Sequence, residues 1–211
     1  MPDTNSPKGP HHRAPKSPHH RASILVTGAT GNLGREVVDR LRARGAHVRR
    51  LVRHESGLSS DAETVVGDLT DPTVLRAALL GVDAVFFIWP LLDSAPAHHV
   101  VAELAAAAPR VVYVSSTAID DEAPRQSDPI VQVHADMEAL LHDAGLRPVL
   151  LRSDTLASNA RGWAGQLRTG DVIAGTDVAR TAVVDERDVA DAAVAVLLAP
   201  HHTQLAAGRT C

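Results

Sequence analysis

Several residue types are scarce in this sequence, and each shortage excludes a class of protein. A single cysteine, Cys211, ends the 211-residue chain, so an internal disulfide and a cysteine-cluster metal site are excluded. The longest largely apolar run, Val82–Leu92, is interrupted by Asp83 and Pro90 and is shorter than the roughly 18 residues of a membrane span. Residues 1–22 lack the apolar segment of a secretory signal. We therefore expect a cytoplasmic protein with no membrane partner.

Lysine is also scarce, and its distribution excludes specific chemistry. Both lysines, Lys8 and Lys16, lie in residues 1–22, so the rest of the chain has no Schiff-base lysine, phosphate-loop lysine or tyrosine–lysine pair. The net charge of the chain is −4, of which residues 1–22 contribute +3 and residues 23–211 contribute −7. An acidic body with five aromatic residues argues against a nucleic-acid partner. We expect residues 1–22 to form a disordered arm and residues 23–211 to form one domain.

Short β-rich runs alternate with longer helical runs from Ser23 onward. The predicted strands are Ile24–Thr27, His47–Val52, Thr64–Val66, Ala84–Ile88, Arg110–Ser115 and Pro148–Leu151. The predicted helices are Leu33–Arg44, Pro72–Leu80, Ala95–Ala107, Ile130–Asp143 and Arg187–Leu198. This alternation indicates parallel βαβ units with right-handed crossovers. The sequence thus predicts an α/β fold with a doubly wound parallel sheet.

A glycine-rich loop, Thr27–Gly34 (TGATGNLG), joins the first predicted strand to the first predicted helix. Glycine lets the backbone turn tightly and approach a pyrophosphate, and the helix N-terminus offers free N–H groups and a positive dipole end. Glycines also serve ordinary turns, but their position in the first βα turn favours dinucleotide binding. The predicted cofactor ligands in this loop are Gly28, Thr30, Gly31, Asn32, Leu33 and Gly34.

The end of the second predicted strand distinguishes between the two nicotinamide dinucleotides. An NAD site usually has an acidic residue there, about 20 residues beyond the glycines. This sequence instead has Arg49, Arg50 and Arg53, and Glu55 follows only after the strand. Because a planar guanidinium binds phosphate bidentately, NADP is favoured over NAD, with Arg53 as the ligand of its 2′-phosphate. The alternative for Arg53 is a solvated arginine at a strand end.

Four segments, ILVTGATGNLG, VRRLVR, VVGDLTD and VVYVSS, resemble the atypical short-chain dehydrogenase/reductases, in particular their NmrA-like NAD(P)-binding branch. The resemblance covers nearly all of Ser23–Leu198 and implies a Rossmann-like fold. It also implies that Asp68, with Leu69 beside it, lies at the adenine, although an aspartate in a turn is an equal alternative. The residues that it places beside the cofactor after the fourth strand are Ile88, Trp89 and Pro90.

The catalytic residues of the family are only partly matched. The resemblance places Ser115 at the serine position, Ile130 at the tyrosine position and His134 at the lysine position, so the tyrosine–lysine dyad is missing. Ser115 and His134 are the predicted catalytic residues. His134 has three possible roles: a proton donor near neutral pH, a ligand of a ribose hydroxyl, or a structural residue. Other residues expected near the nicotinamide are Ser116, Arg152 and Ser153.

These observations favour an NADP-dependent reductase acting on a small molecule, namely a quinone, a flavin or another conjugated acceptor. Such an acceptor takes its proton from solvent and tolerates the missing dyad. The alternative is a non-catalytic NAD(P)-binding sensor or regulator, as some NmrA-like proteins are, whereas epimerase chemistry needs the tyrosine base and is discarded. The histidine pairs lack metal-site spacing, so no metal is expected. After Leu198 the chain is either truncated or similar to compact flavin and biliverdin reductase-like members, and its oligomeric state is left open.

Overall fold

A computed structural model describes residues 21–55, 62–107, 109–170 and 182–200. Its central sheet has six parallel strands in the spatial order β3-β2-β1-β4-β5-β6. The strands are β1 (Ser23–Val26), β2 (His47–Val52), β3 (Glu63–Val66), β4 (Ala84–Phe87), β5 (Arg110–Ser116) and β6 (Val149–Ser153). The predicted arm lies outside the described residues except for its last two positions.

Helices cover both faces of the sheet, as the near-continuous apolar strands require. They are α1 (Asn32–Ala43), α2 (Pro72–Leu79), α3 (Ala97–Ala107), α4 (Pro129–Asp143), a short α5 (Ala164–Thr169) and α6 (Glu186–Leu198). Side chains of α1 and α6 pack in one apolar cluster, and those of α2, α3 and α4 pack in the other. No helix within the described ranges has both the length and the apolar character needed to cross a bilayer.

The strand order places a switch point between β1 and β4. The chain runs from β1 outward through β2 to β3, then returns to β4 on the other side of β1. The first and second halves of the sheet therefore wind in opposite directions, and the two crossovers diverge above the carboxyl ends of β1 and β4. Ligands of open α/β sheets bind in the crevice that this divergence creates. The predicted doubly wound parallel sheet is confirmed.

The predicted boundaries lie within two residues of the observed ones, and one segment was not predicted. After β6 the chain forms strand β7 (Thr155–Leu156), a 3₁₀ helix (Ala157–Trp163) and α5, and β7 pairs in parallel with β8 (Val183–Val184). Neither the 3₁₀ helix nor α5 buries a residue. A segment without a buried face has no apolar period for a pattern to detect.

Candidate cofactor site

The glycine-rich loop lies at the switch point and is fixed to the neighbouring strand. The Thr27 N–H donates to the Phe86 carbonyl oxygen at 3.0 Å, and the Ile88 N–H donates to the Thr27 hydroxyl at 2.8 Å. Gly28 has a φ of 63°, a left-handed conformation that favours glycine. The side chain of Ile88 lies 3.2 Å from the position of a Cβ at Gly28, so the loop also passes close to β4.

Two further glycines of the loop have different physical roles. A Cβ on Gly34 would lie 2.1 Å from the Gly28 carbonyl oxygen, so α1 can approach the loop this closely only without a side chain there. A Cβ on Gly31 would meet only that same oxygen, at 3.3 Å. Gly34 is therefore required by packing. At Gly31 a side chain would disturb the packing much less, so space for a ligand explains the glycine better than packing does.

The N-terminus of α1 differs from those of three other helices in having no side-chain cap. Asp71, Asp128 and Asp185 accept hydrogen bonds from the first N–H groups of α2, α4 and α6. The corresponding position in α1 is Gly31, and the first turn of α1 contains no acidic residue. Its N–H groups and positive dipole end are therefore available to an anion. Together with the close approach that the glycines permit, this arrangement fits the pyrophosphate of a dinucleotide.

The three arginines of β2 and its end have separate environments. Arg49 donates to two carbonyl oxygens at the end of α2, at 2.7 Å each. Arg50 is buried and donates to the Thr64 hydroxyl at 3.0 Å. Arg53, directly after β2, is exposed. Of the three, Arg53 is therefore the most accessible to solvent, and its role as a ligand of the 2′-phosphate stays a prediction.

Asp68, which follows β3, has the turn role that the sequence left open. Its Oδ1 accepts from the Thr70 N–H at 2.8 Å and from the Thr70 hydroxyl at 2.7 Å. These bonds, with a smaller contribution from the charge of Arg53, lower the pKa of Asp68. The carboxylate is exposed, and only Oδ1 takes part in the turn, so a contact between Oδ2 and adenine stays a prediction.

The residues predicted beside the cofactor after β4 are only partly accessible. Ile88 is half-buried and faces Gly28. The Trp89 indole is buried in the apolar cluster of α2, α3 and α4, and its Nε1–H donates to the Asp93 carbonyl oxygen at 3.1 Å. Leu69 packs in the same cluster. The side chains of Trp89 and Leu69 therefore belong to the core, and only the backbone atoms of these two residues are left to contact a cofactor. Pro90 is exposed.

Ser115 belongs to a buried polar network that the sequence did not reveal. The serine is 2% exposed, and its hydroxyl donates to Glu138 Oε1 at 2.5 Å. Arg152 donates to both oxygens of Glu138, at 2.9 and 2.7 Å, and to both oxygens of Asp121, at 2.7 and 2.6 Å. Hydrogen bonds to Asp121 and Glu138 raise the pKa of Arg152. Because its proton is directed to Glu138, Ser115 donates within the protein, and its catalytic role stays a prediction.

His134 pairs with the one tyrosine of the chain. Its Nδ1 lies 3.0 Å from the hydroxyl oxygen of Tyr113, which is fully buried. Within the described residues this hydroxyl has no other hydrogen-bond acceptor, so Tyr113 donates to Nδ1 and the ring hydrogen of His134 is on Nε2. Burial lowers the pKa of His134, an effect that the negative charge of Glu138 partly opposes. Burial therefore favours the neutral form of the imidazole.

Sequence spacing contained a signal for this arrangement that the motif search missed. Tyr113 and Ser115 are two residues apart on β5 and so point to the same face of the sheet. His134 and Glu138 are four residues apart on α4 and so share one face of that helix. Ile130, at the tyrosine position of the resemblance, is 54% exposed at the start of α4. Among the described residues, no group of three or more metal-ligating side chains comes together.

The segment after β6 contacts both the glycine-rich loop and α6. Arg161 Nη1, in the 3₁₀ helix, donates to Asn32 Oδ1 at 3.1 Å, and Asn32 is the first residue of α1. The Ser158 N–H donates to Glu186 Oε1 at 2.8 Å. Thus a segment that sequence reasoning left unassigned brings an arginine to the start of α1.

Several proteins that are similar to this chain in sequence or structure are named as reductases. The chain is 38% identical over 184 residues to a (4-alkanoyl-5-oxo-2,5-dihydrofuran-3-yl)methyl phosphate reductase from Streptomyces griseus. It is 29% identical over 185 residues to an NAD(P)H azoreductase from Xenophilus azovorans. Each alignment covers 85% of this chain. Among solved structures, an NADPH-dependent quinone oxidoreductase from Escherichia coli in complex with NADPH superimposes with a TM-score of 0.68 and 25% identity over 83% of this chain.

The alignments cover most of this chain but only part of each similar protein. This chain spans 64% of the length of each of the three proteins. The profile of the NAD(P)H-binding family, by contrast, matches residues 28–200, which include the glycine-rich loop from Gly28 onward, Arg53 and the network around Glu138. The chain therefore belongs to the NAD(P)H-binding family.

Proposed function

We propose that this chain is the cofactor-binding part of an NADPH-dependent reductase whose substrate is a small conjugated acceptor, such as a quinone, a flavin or an azo compound. The observation that carries the proposal is the state of the polar side chains on β5 and α4. Ser115 donates to Glu138, and Tyr113 donates to His134. The residues at the family's serine and lysine positions, Ser115 and His134, are thus hydrogen-bonded within the protein, and the tyrosine position is Ile130.

This arrangement favours a substrate that needs little help from a protein acid. When bound at this site, NADPH would supply a hydride, that is, two electrons and one proton, and would leave as NADP⁺. The acceptor needs one further proton to complete its reduction. A conjugated acceptor spreads the added negative charge over several atoms and takes this proton from water, whereas an isolated carbonyl needs a positioned acid. The neutral imidazole of His134 is suited to donating a hydrogen bond from Nε2 to a ribose hydroxyl.

The glycine-rich loop and the end of β2 are the proposed binding elements. The loop and the N-terminus of α1 hold the pyrophosphate, Arg53 binds the 2′-phosphate of NADP, and Asp68 lies at the adenine. Arg53 supports NADP over NAD because it is exposed, while Arg49 and Arg50 are engaged with the protein. The family itself includes binding of either dinucleotide.

The apolar residues at the carboxyl edge of the sheet support a planar, apolar acceptor. Leu91 and Leu92, which follow β4, are 38% and 79% exposed, and Ile130, in the first turn of α4, is 54% exposed. Exposed apolar side chains beside a ligand site provide contact area for an aromatic or conjugated ring. The names of these three proteins describe a dihydrofuranone phosphate, an azo compound and a quinone, each of which is an unsaturated compound that can be reduced.

NADPH oxidation by the purified chain tests the proposal. We expect loss of the NADPH absorbance with at least one acceptor from a panel of quinones, flavins and azo dyes, at a rate proportional to protein concentration. The control is Gly31→Val, which places a side chain in the proposed cofactor site and should abolish the rate. Tight NADPH binding without consumption across the panel would reject the reductase and favour the sensor alternative.

A further inference from the structure

Arg161 occupies an electrostatically unfavourable position in the described structure. Its guanidinium donates to the side chain of Asn32, the first residue of α1. The N-terminus of a helix carries a partial positive charge, so a cation at this position is repelled rather than attracted. The first turn of α1 contains no acidic residue to reduce this repulsion.

Neighbouring carboxylates do not neutralise Arg161. Within the described ranges, none lies at ion-pair distance from its guanidinium, and the arginine is exposed. Asn32 accepts only one of the five N–H bonds that a guanidinium can donate. Two positive groups, the helix end and Arg161, therefore border the same region and both have unused donors.

We propose that Arg161 binds the pyrophosphate of the dinucleotide together with the N-terminus of α1. A pyrophosphate has two negative charges, and a guanidinium binds phosphate oxygens with paired hydrogen bonds. Asn32 orients the guanidinium by accepting one of its N–H groups. This inference rests on the proposed binding of the dinucleotide at the glycine-rich loop.

Arg161 and Arg53 recognise different phosphates in this arrangement, which gives them different effects on affinity. The pyrophosphate is common to NADPH, NADH and ADP, whereas the 2′-phosphate is present only in NADPH. Loss of Arg161 should therefore weaken all three ligands, and loss of Arg53 should weaken NADPH alone. Adenosine, which has no phosphate, should not depend on either arginine.

Calorimetric titration of Arg161→Ala with NADPH, NADH, ADP and adenosine tests the inference. We expect Kd for the first three ligands to increase about tenfold or more, since a charge-assisted hydrogen bond is lost. Arg168→Ala is the matched control, because Arg168 is an exposed arginine of the same segment and its loss changes the net charge equally. Arg168→Ala should change each Kd less than twofold. Equal losses in the two variants would overturn the inference.

Two more variants separate phosphate binding from the contact with Asn32. Arg161→Gln keeps a donor for Asn32 without the charge and should stay weak, while Arg161→Lys keeps the charge and should recover part of the affinity. Full recovery in the glutamine variant would show that Arg161 only holds Asn32. If the wild type bound none of the phosphate ligands, the proposed function would fail first. If it bound them and Arg161→Ala bound them equally well, only the role of Arg161 would be wrong.

Discussion

Exchanging single glycines of the α1 loop separates packing from ligand binding. In Gly34→Ala the new Cβ would lie 2.1 Å from the Gly28 carbonyl oxygen, 2.8 Å from the Gly28 carbonyl carbon and 2.9 Å from the Ala29 Cα. All three are backbone atoms, so no side chain can rotate away. Ordinary contact begins at 3.4 Å, so α1 must move by more than 1 Å relative to the loop.

The size of the effect follows from this displacement. Overpacking of a well-packed region costs about 1–3 kcal/mol. For a chain of this length, each kcal/mol lowers Tm by about 2–4 °C. We therefore expect Gly34→Ala to be several degrees less stable than the wild type in thermal unfolding. Its NADPH affinity should also fall, because α1 carries the N–H groups proposed to bind the pyrophosphate.

Gly31→Val is expected to keep its thermal stability and to lose NADPH affinity. Gly31 has a φ of −74° and a ψ of 170°, an extended conformation that any residue adopts without strain. Its Cβ would meet one atom, at 3.3 Å, so a shift of a few tenths of an ångström accommodates it. Tm should change by no more than 1–2 °C or so, the equivalent of about 0.5 kcal/mol, while most of the NADPH affinity is lost to the side chain in the pyrophosphate site.

Both variants are measured by thermal unfolding and by quenching of tryptophan fluorescence with NADPH. A Gly31→Val protein that is folded and binds NADPH as tightly as the wild type would refute the position of the cofactor site. A Gly34→Ala protein with unchanged Tm would refute the packing argument. If Gly31→Val were as unstable as Gly34→Ala, the separation of the two roles would be wrong.

Three other changes have defined outcomes. Arg53→Ala should weaken NADPH by about 1.5–3 kcal/mol and leave NADH unchanged, and equal losses in titrations of the two would make Arg53 structural. Arg152→Met leaves the buried Glu138 carboxylate without its cation and should lower the free energy of unfolding in urea by about 3 kcal/mol. Asp121→Asn, at a side chain that is 71% exposed, should lower it by at most about 1 kcal/mol, and similar losses in the two variants would contradict the role of Arg152 in the network. Tyr113→Phe removes the donor to His134 Nδ1 and should raise the imidazole pKa, measured by NMR titration. The pKa of His134 in the folded wild type lies below its ordinary value of 6.5, so the unfolded chain binds more protons at this residue. The free energy of unfolding should therefore fall as the pH drops below about 6.5. This loss should be smaller in Tyr113→Phe.

The elements that sequence reasoning placed correctly are those with a strong local signal. The first helix combines an apolar stripe with a terminating glycine, and Gly45 indeed has a φ of 75° directly after it. Asp71 followed by Pro72 is a typical helix start, and Asp71 accepts from the Thr73 and Val74 N–H groups at the start of α2. Each of these signals lies within a few residues of the feature that it determines.

Contacts between distant parts of the chain could not be predicted in the same way. The pairing of Glu138 with Arg152 joins α4 to β6, and the pairing of Arg161 with Asn32 spans 129 positions. A single sequence contains no measure of which charged residues meet in the fold. Trp89 shows a related difficulty, because its position after β4 suggested a cofactor contact while its indole is needed in the core.

The polar network around Glu138 joins three elements at the carboxyl edge of the sheet. Arg152 connects β6, through Glu138, to α4 and, through Asp121, to the loop after β5. The Glu138 carboxylate is buried and would be costly without a cation, so its hydrogen bonds from the partly exposed Arg152 favour this arrangement of the three elements. The same arrangement brings α4 against β5 so that Tyr113 reaches His134. In the proposed function these residues therefore set the position and hydrogen-bonding state of the site, and the reactivity depends on the acceptor that the site admits.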